Sequence, residues 1–316
     1  MESQPLVTVF CLAYNHENYI TKTLDGFVTQ KTSFPFEVLI HDDCSTDQTA
    51  SIIKKYSEQY PDIIKPVFQT ENQYSKGIKI TSTFLMPKAQ GKYFAWCEGD
   101  DCWTDCNKLQ KQIDFLEANP NYSCCYHKVL MKNLYNGNEV YMPLIQSPRE
   151  FTLEEIVKGG AIFHLSSAVF RSDLYRKKPE CFVAKGFGDI QLYMYGAICG
   201  KCYVFNDVMS MYNHGTPGSW TERVAKNKEK NLEHERQLLS MLNRTNEYYE
   251  YQYDSALQHA IKRAEFNILA LSGCKKDIMR PEFRAFYIQR RREKIFRFVQ
   301  KRFPSLIRIK NKLKGI

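Results

Sequence analysis

Short apolar runs alternate with segments of helical spacing from the start of the chain. Residues 6–13 form a continuous β-prone run that predicts a buried strand. Residues 19–30 place Ile20, Leu24, Phe27 and Val28 on one helical face. Residues 36–41 predict a second strand, and Ser45 or Thr46 caps a helix running to about Tyr60, before Pro61. Residues 64–69 and 92–97 predict two further strands. A helix is expected between them over residues 81–90, in spite of Pro87, and Gly91 ends it. Residues 108–117 predict a helix stopped by Asn119-Pro120.

This alternation predicts an α/β fold: a doubly wound, mainly parallel sheet with helices on both faces. After residue 122 the pattern loosens. Strands are expected over 122–132 and 139–144, around an Asn136-Gly137 turn, and over 166–170 and 203–212. A short helix over 151–158 carries a capping-box pair, Thr152 and Glu155, and another helix covers 189–197. Beyond residue 222 the chain reads as helical, over 225–242 and 254–271, followed by a basic tail. The expected organisation is one α/β domain over 1–222 and a helical region over 223–316.

Hydrophobic residues make up 43% of the chain and charged residues 25%, which predicts a packed core and excludes a disordered chain. The net charge of +9 is unevenly placed. Residues 275–316 hold 15 Lys or Arg against 3 Asp or Glu, so the tail is strongly basic and the remainder mildly acidic. Arg290, Arg291, Arg292, Lys294, Arg297, Lys301 and Arg302 interleave with apolar residues, and Phe296, Val299 and Phe303 fall near one face. This pattern suits an interfacial helix on an anionic membrane surface; nucleic acid is the less favoured anionic partner. The start, Met1-Glu-Ser-Gln-Pro, lacks a basic region followed by an apolar run, and no stretch approaches the roughly 18 apolar residues of a span. The 11 cysteines then fit free thiols and a cytoplasmic location, with peripheral attachment through the tail.

Ligands of such sheets bind beyond the carboxyl ends of the strands, which directs attention to the loops at 14–18, 42–47 and 98–105. Glu98-Gly-Asp100-Asp101 puts three carboxylates in four residues at the exit of a buried strand. They repel one another unless solvated, paired or bound to a cation. Hard oxygen donors favour Mg2+ or Mn2+, which in turn bind phosphate oxygens. Asp42 and Asp43 end the second strand and can accept from a ribose hydroxyl or a base N–H, or cap the following helix. The sequence has no G-x-G-x-x-G after the first strand and no P-loop, so nicotinamide and P-loop chemistry lose weight.

Taken together, several spaced segments resemble the family-2 glycosyltransferases of the GT-A fold. They are Val7-Thr-Val-Phe-Cys-Leu-Ala-Tyr-Asn15, Ile40-His-Asp-Asp-Cys-Ser-Thr-Asp47, Glu98-Gly-Asp-Asp-Cys-Trp103, Phe187-Gly-Asp-Ile-Gln-Leu-Tyr193 and Tyr212-Asn-His-Gly-Thr-Pro-Gly-Ser-Trp220. The resemblance spans roughly residues 5–222 and implies transfer from a nucleoside-diphosphate sugar, with Mn2+ or Mg2+, to a glycan or lipid-linked acceptor of cell-surface polysaccharide. It implies that Ala13, Tyr14 and Glu17 form the nucleotide wall and that Asp43 contacts the uracil or ribose side of a UDP-sugar. Glu98-Gly-Asp100 stands at the family's D-x-D motif, so Asp100 is the first metal ligand, Asp101 and His214 are further candidates, and Glu98 reaches the ribose or a metal-bound water. Asp189 matches the catalytic base of an inverting reaction, and Trp220 a stacking or closure residue. Two other readings stand beside this one: a nucleotidyltransferase of related fold, and an inactive scaffold.

Overall fold

Alternation along the first strand splits the core into two layers. Val7, Val9 and Cys11 belong to one apolar cluster and Phe10 to another, because successive strand residues face opposite sides of the sheet. The structure is a computed structural model that describes residues 4–159, 162–182, 188–219 and 227–302. In chain order its elements are β1 (Val7–Ala13), α1 (Ile20–Val28), β2 (Phe36–Asp42), α2 (Thr49–Gln59), β3 (Ile64–Phe68), β4 (Tyr93–Trp96), β5 (Cys102–Trp103) and α3 (Lys108–Ala118). There follow β6 (Tyr122–Asn133), β7 (Glu139–Met142), β8 (Arg149–Phe151), α4 (Leu153–Gly159), β9 (Val169–Arg171), α5 (Ser172–Arg176), α6 (Gly188–Cys199) and β10 (Lys201–His214). The last three helices are α7 (Lys228–Tyr248), α8 (Asp254–Ser272) and α9 (Arg284–Arg302).

The strands form one sheet in the order β3-β2-β1-β4-β9-β6-β10-β5, with β7 paired to β6 and β8 to β10. The run β3-β2-β1-β4 is parallel, as are β6 and β10, and short antiparallel strands β9, β7, β8 and β5 complete the sheet. Leu24 and Phe27 of α1, Ile53 of α2, and Leu109, Ile113 and Leu116 of α3 cover one face. Leu192 and Tyr193 of α6, with Ile156 of α4, cover the other.

Local departures from the sequence pattern have local causes. The helix expected over 81–90 is a π turn at Thr81–Leu85 followed by a 3-10 turn at Met86–Lys88, since Pro87 cannot donate into a regular ladder. The strand expected over 166–170 begins instead as a 3-10 turn, Leu165–Ser167. Thr152 and Glu155 form the expected capping box: Thr152 N donates to Glu155 Oε2 at 3.0 Å and Glu155 N to Thr152 Oγ1 at 3.2 Å.

The chain divides into two compact units, residues 1–223 and 224–316. In the second, α7 packs on α8, and Phe266, Phe283 and Phe286 form a small apolar cluster at the start of α9. Helix α9 carries the first part of the basic tail; residues 303–316 lie outside the described residues. Among the described residues no helix is long and apolar enough to cross a membrane.

Candidate active site

The acidic turn follows β4, and α1 holds it in place. Thr23 Oγ1 donates to the carbonyls of Gly99, at 3.1 Å, and Asp101, at 2.5 Å. One turn on, Gly26 lets the helix meet the β5 backbone, where a Cβ would lie 2.8 Å from Trp103 O. The Phe27 ring packs edge-on to Trp103 at 4.9 Å. Gly99 is equally constrained, because a Cβ there would approach His16 Nδ1 to 2.8 Å. The small residues at 26 and 99 are thus dictated by the closeness of α1, its preceding loop and the turn.

The turn collects negative charge. Burial pushes the Glu98 carboxyl up to about 8, and the charges of Asp100 and Asp189 add to that. Burial likewise raises Asp101 well above the carboxylate range, reinforced by Asp100, Glu98 and Asp189. Asp189 stands in the first turn of α6, which Gly196 seats tightly on β6: a Cβ there would come within 2.8 Å of Cys124 Sγ. The Asp189 side chain is open to solvent, yet crowding by surrounding protein raises its carboxyl to about 6. A carboxylate on the wall of a recess has both properties. Among the described residues no Lys or Arg forms an ion pair with Glu98, Asp100 or Asp189.

Asp101 is engaged within the protein. Its Oδ1 accepts from Asn213 N at 3.1 Å, and its Oδ2 faces His164 Nε2 at 3.6 Å; Asp101 is buried and both partners are half-buried. His164 stacks on Tyr212 with ring centroids 3.9 Å apart, and its Nδ1 lies 2.9 Å from Ser166 Oγ. The Asp101 carboxylate thus ties the acidic turn to the end of β10. Asn213 adds a second tie, from Nδ2 to Asp100 O at 2.6 Å.

At the tips of β1 and β2 two loops are laced together. Asn15 N donates to Ser45 Oγ at 2.9 Å and Thr46 N to Asn15 Oδ1 at 2.8 Å. Asn15 and Cys44 take left-handed φ values of 56° and 62°, strain that the mutual hydrogen bonds sustain. Ala13 is buried and its carbonyl accepts from Asp43 N at 3.0 Å. Tyr14 presents an exposed ring. Glu17 is not free, since its Oε2 accepts from Gln48 N at 3.1 Å at the start of α2. Asp43 is buried with both oxygens engaged, by Gln73 N at 2.8 Å and Tyr74 N at 3.0 Å, so it pins the 72–74 loop beside the β2 tip. Its neighbour Asp42 has an oxygen, Oδ1, that is buried without a hydrogen-bond partner.

Sequence reasoning missed His16, His164 and Asn213. Burial lowers the His16 pKa, while Asp100, Asp47 and Asp42 pull it upward, which sets this imidazole between the two acidic tips. Its place in the first loop was a usable signal; His164 had none. His214 closes β10, with its Nδ1 buried and unpartnered and its ring edge-on to Tyr135 at 6.2 Å. Trp220 lies outside the described residues.

Whether the site fits a divalent cation can be judged from its donors. Uncompensated hard carboxylates suit Mg2+ or Mn2+. Among the described residues no three His, Cys, Asp or Glu are gathered into a closed metal cage.

Residues 8–176 match the family profile described as Glycosyl transferase family 2. An uncharacterized protein of Mycobacterium tuberculosis is 31% identical over 214 residues, 68% of this chain and 60% of the relative. TuaG of Bacillus subtilis, assigned by name to teichuronic acid biosynthesis, is 30% identical over 169 residues, 53% of this chain and 63% of that protein. The chain thus spans about 60% of the length of these curated relatives. Among solved structures, Staphylococcus aureus TarS in complex with UDP-GlcNAc aligns with a TM-score of 0.54 at 19% identity, over 84% of this chain and 81% of that one. The mannosyltransferase PcManGT from Pyrobaculum calidifontis, in complex with GDP-Man and Mn2+, aligns with a TM-score of 0.54 at 18% identity, over 93% and 81%. At these identities the likeness is one of fold, the GT-A fold with helices added at the C-terminal end.

Proposed function

The chain belongs to glycosyl transferase family 2, and from that premise we propose that it is an inverting, metal-dependent transferase of cell-surface polysaccharide synthesis. It moves a sugar from a nucleoside-diphosphate donor, a UDP-sugar, to a glycan or lipid-linked hydroxyl. The observation that carries this reading is that Glu98 feels the charge both of its neighbour Asp100 and of Asp189, which comes from a distant part of the sequence. TarS, seen with UDP-GlcNAc, and PcManGT, seen with GDP-Man and Mn2+, support the donor class and the cation.

Asp189 acts as general base. It takes the proton of the acceptor hydroxyl while that oxygen attacks the anomeric carbon from the face opposite the leaving diphosphate. Asp100 is the side chain that would hold Mn2+ or Mg2+, and His214 Nδ1, buried and unpartnered, would be a further ligand. Bound there, the cation supplies positive charge to the departing diphosphate. Tyr14 offers a face for the base, and Asp42 Oδ1 an acceptor for a base N–H or ribose hydroxyl. The basic tail places the enzyme on an anionic membrane surface at the cytoplasmic side.

A thermal-shift panel of sugar nucleotides, with and without MnCl2, tests the reading. The correct donor at about 100 times its Kd adds roughly 2.7 kcal/mol of stability. For a domain of this size that is a shift of about 5–10 °C. No shift with any donor would refute the proposal, and release of pyrophosphate instead of nucleoside diphosphate would favour a nucleotidyltransferase.

A further inference from the structure

The short 3-10 turn Leu165–Ser167 grips the acidic turn at two points. His164, its N-cap residue, faces Asp101 Oδ2 with Nε2 at 3.6 Å. Ser166 O accepts from Trp103 Nε1 at 3.0 Å, on β5 just past the acidic turn. The bracket is itself fixed from two sides. Ser166 Oγ lies 2.9 Å from Ser210 Oγ of β10, and Gln112 Nε2 of α3 donates to Ser167 O at 2.9 Å. Segments far apart in the sequence thus converge on residues 101–103.

The tautomer of His164 follows from its other contacts. Ser166 N can only donate, and it lies 3.3 Å from His164 Nδ1. Nδ1 is therefore the acceptor, and the proton of the neutral ring sits on Nε2, on the Asp101 side. Burial keeps the ring neutral, with its pKa pushed down to about 3. Stacking on Tyr212 fixes the plane of the ring. At 3.6 Å the contact with Asp101 is longer than a direct hydrogen bond, so the N–H orients the carboxylate through its dipole.

Asp101 needs such a donor. It is buried, and the charges of Asp100, Glu98 and Asp189 all act against its own. Asn213 N serves Oδ1 alone, which leaves Oδ2 to His164. Asn213 also donates from Nδ2 to Asp100 O at 2.6 Å. The Asp101 side chain and the Asp100 carbonyl are thus tied to one residue, and an outward swing of Asp101 would pull on the backbone of Asp100.

We propose that His164 is a positioning residue: by holding Asp101 inward it fixes the backbone of Asp100, the side chain that would hold Mn2+ or Mg2+. The consequence for the cation rests on the transferase reading; the hold on the acidic turn rests on the contacts alone.

Two substitutions split the imidazole. His164→Asn keeps an acceptor near the Nδ1 position for Ser166 N and loses the reach to Asp101. His164→Gln keeps a donor near the Nε2 position. MnCl2 is titrated calorimetrically into the full chain saturated with UDP. His164→Asn should bind Mn2+ about tenfold or more weakly, and His164→Gln within about threefold of wild type. UDP affinity in EDTA should stay within about twofold of wild type in both. Amide exchange over residues 98–103, read by mass spectrometry on the ligand-free chain, should rise in His164→Asn and stay low in His164→Gln. Asp101→Asn, which sets an N–H against Nε2–H, should raise the same exchange and replaces His164→Asn if that variant does not fold. Wild-type Mn2+ affinity in His164→Asn, or equal losses in the Asn and Gln variants, overturns the proposal. So does a parallel loss of UDP in EDTA, which would mark a general structural role. A wild-type chain that binds no UDP defeats the transferase reading instead, and the exchange measurement still decides whether His164 holds the turn.

Discussion

Replacing Asp189 by Asn removes the proposed general base with almost no change of volume. A positioned base contributes roughly 10²–10⁴ in rate. The variant should therefore lose about 3–5 kcal/mol of transition-state stabilisation. The structure adds a pH signature. Crowding by the surrounding protein raises the Asp189 carboxyl to about 6, and the base works only when ionised. Activity should fall as pH drops through that value: about nine-tenths of Asp189 is ionised at pH 7 and about one-tenth at pH 5. kcat/KM for the acceptor, followed by nucleoside diphosphate release, should thus drop about tenfold between pH 7 and pH 5 in the wild type. In Asp189→Asn that acid limb should vanish along with most of the rate. Because the folded-state pKa is raised, ionised Asp189 costs stability above its unfolded pKa. The Asn variant should accordingly melt no lower than wild type at pH 7. A folded Asp189→Asn enzyme that keeps a third of the activity, or keeps the limb near pH 6, would remove Asp189 from the mechanism.

Three further outcomes follow from particular contacts. Asp100→Ala should leave the protein folded and abolish the MnCl2-dependent part of the UDP thermal shift; an unchanged shift would assign the cation elsewhere. Asp43→Ala leaves the N–H groups of Gln73 and Tyr74 without their acceptor, at a cost of roughly 2–5 kcal/mol in urea unfolding, whereas a surface carboxylate would cost almost nothing. Lys108 is fully buried, donates to Gln112 Oε1 at 2.8 Å, lies 4.1 Å from the Trp103 ring centroid, and is pushed down to about 7 by burial. Between pH 7 and about 10 the unfolded chain binds the proton that folded Lys108 has released, so this residue makes stability rise with pH. Lys108→Met should flatten that slope and add about 1–4 kcal/mol at pH 7; an unchanged slope in urea titrations at pH 7, 8 and 9 would contradict the burial argument.

Much of the fold could be read along the chain because its signals are local. The apolar run of β1, the helical stripe Ile20, Leu24 and Phe27, the capping box at Thr152 and Glu155, and the stop at Asn119-Pro120 each depend on neighbours a few residues away. Strand order is not of that kind. Nothing near residues 169–171 says that β9 slots between β4 and β6, or that the two residues of β5 pair with β10, because those contacts join segments some 45 to 110 residues apart.

The candidate site divides in the same way. The sequence by itself identified the carboxylates, since acidic residues at the exits of buried strands are conspicuous in any register. Only the tertiary structure decided which of them still have oxygens to offer. Both oxygens of Asp43 and one of Glu17 accept from backbone N–H groups, Asp101 meets Asn213 and His164, and Asp42 Oδ1 is left over. Asn213 entered the picture only when α1 and β10 met around the acidic turn. A side chain's chemistry belongs to its residue type, but whether that chemistry is available depends on hydrogen-bond partners, burial and charges that distant segments supply.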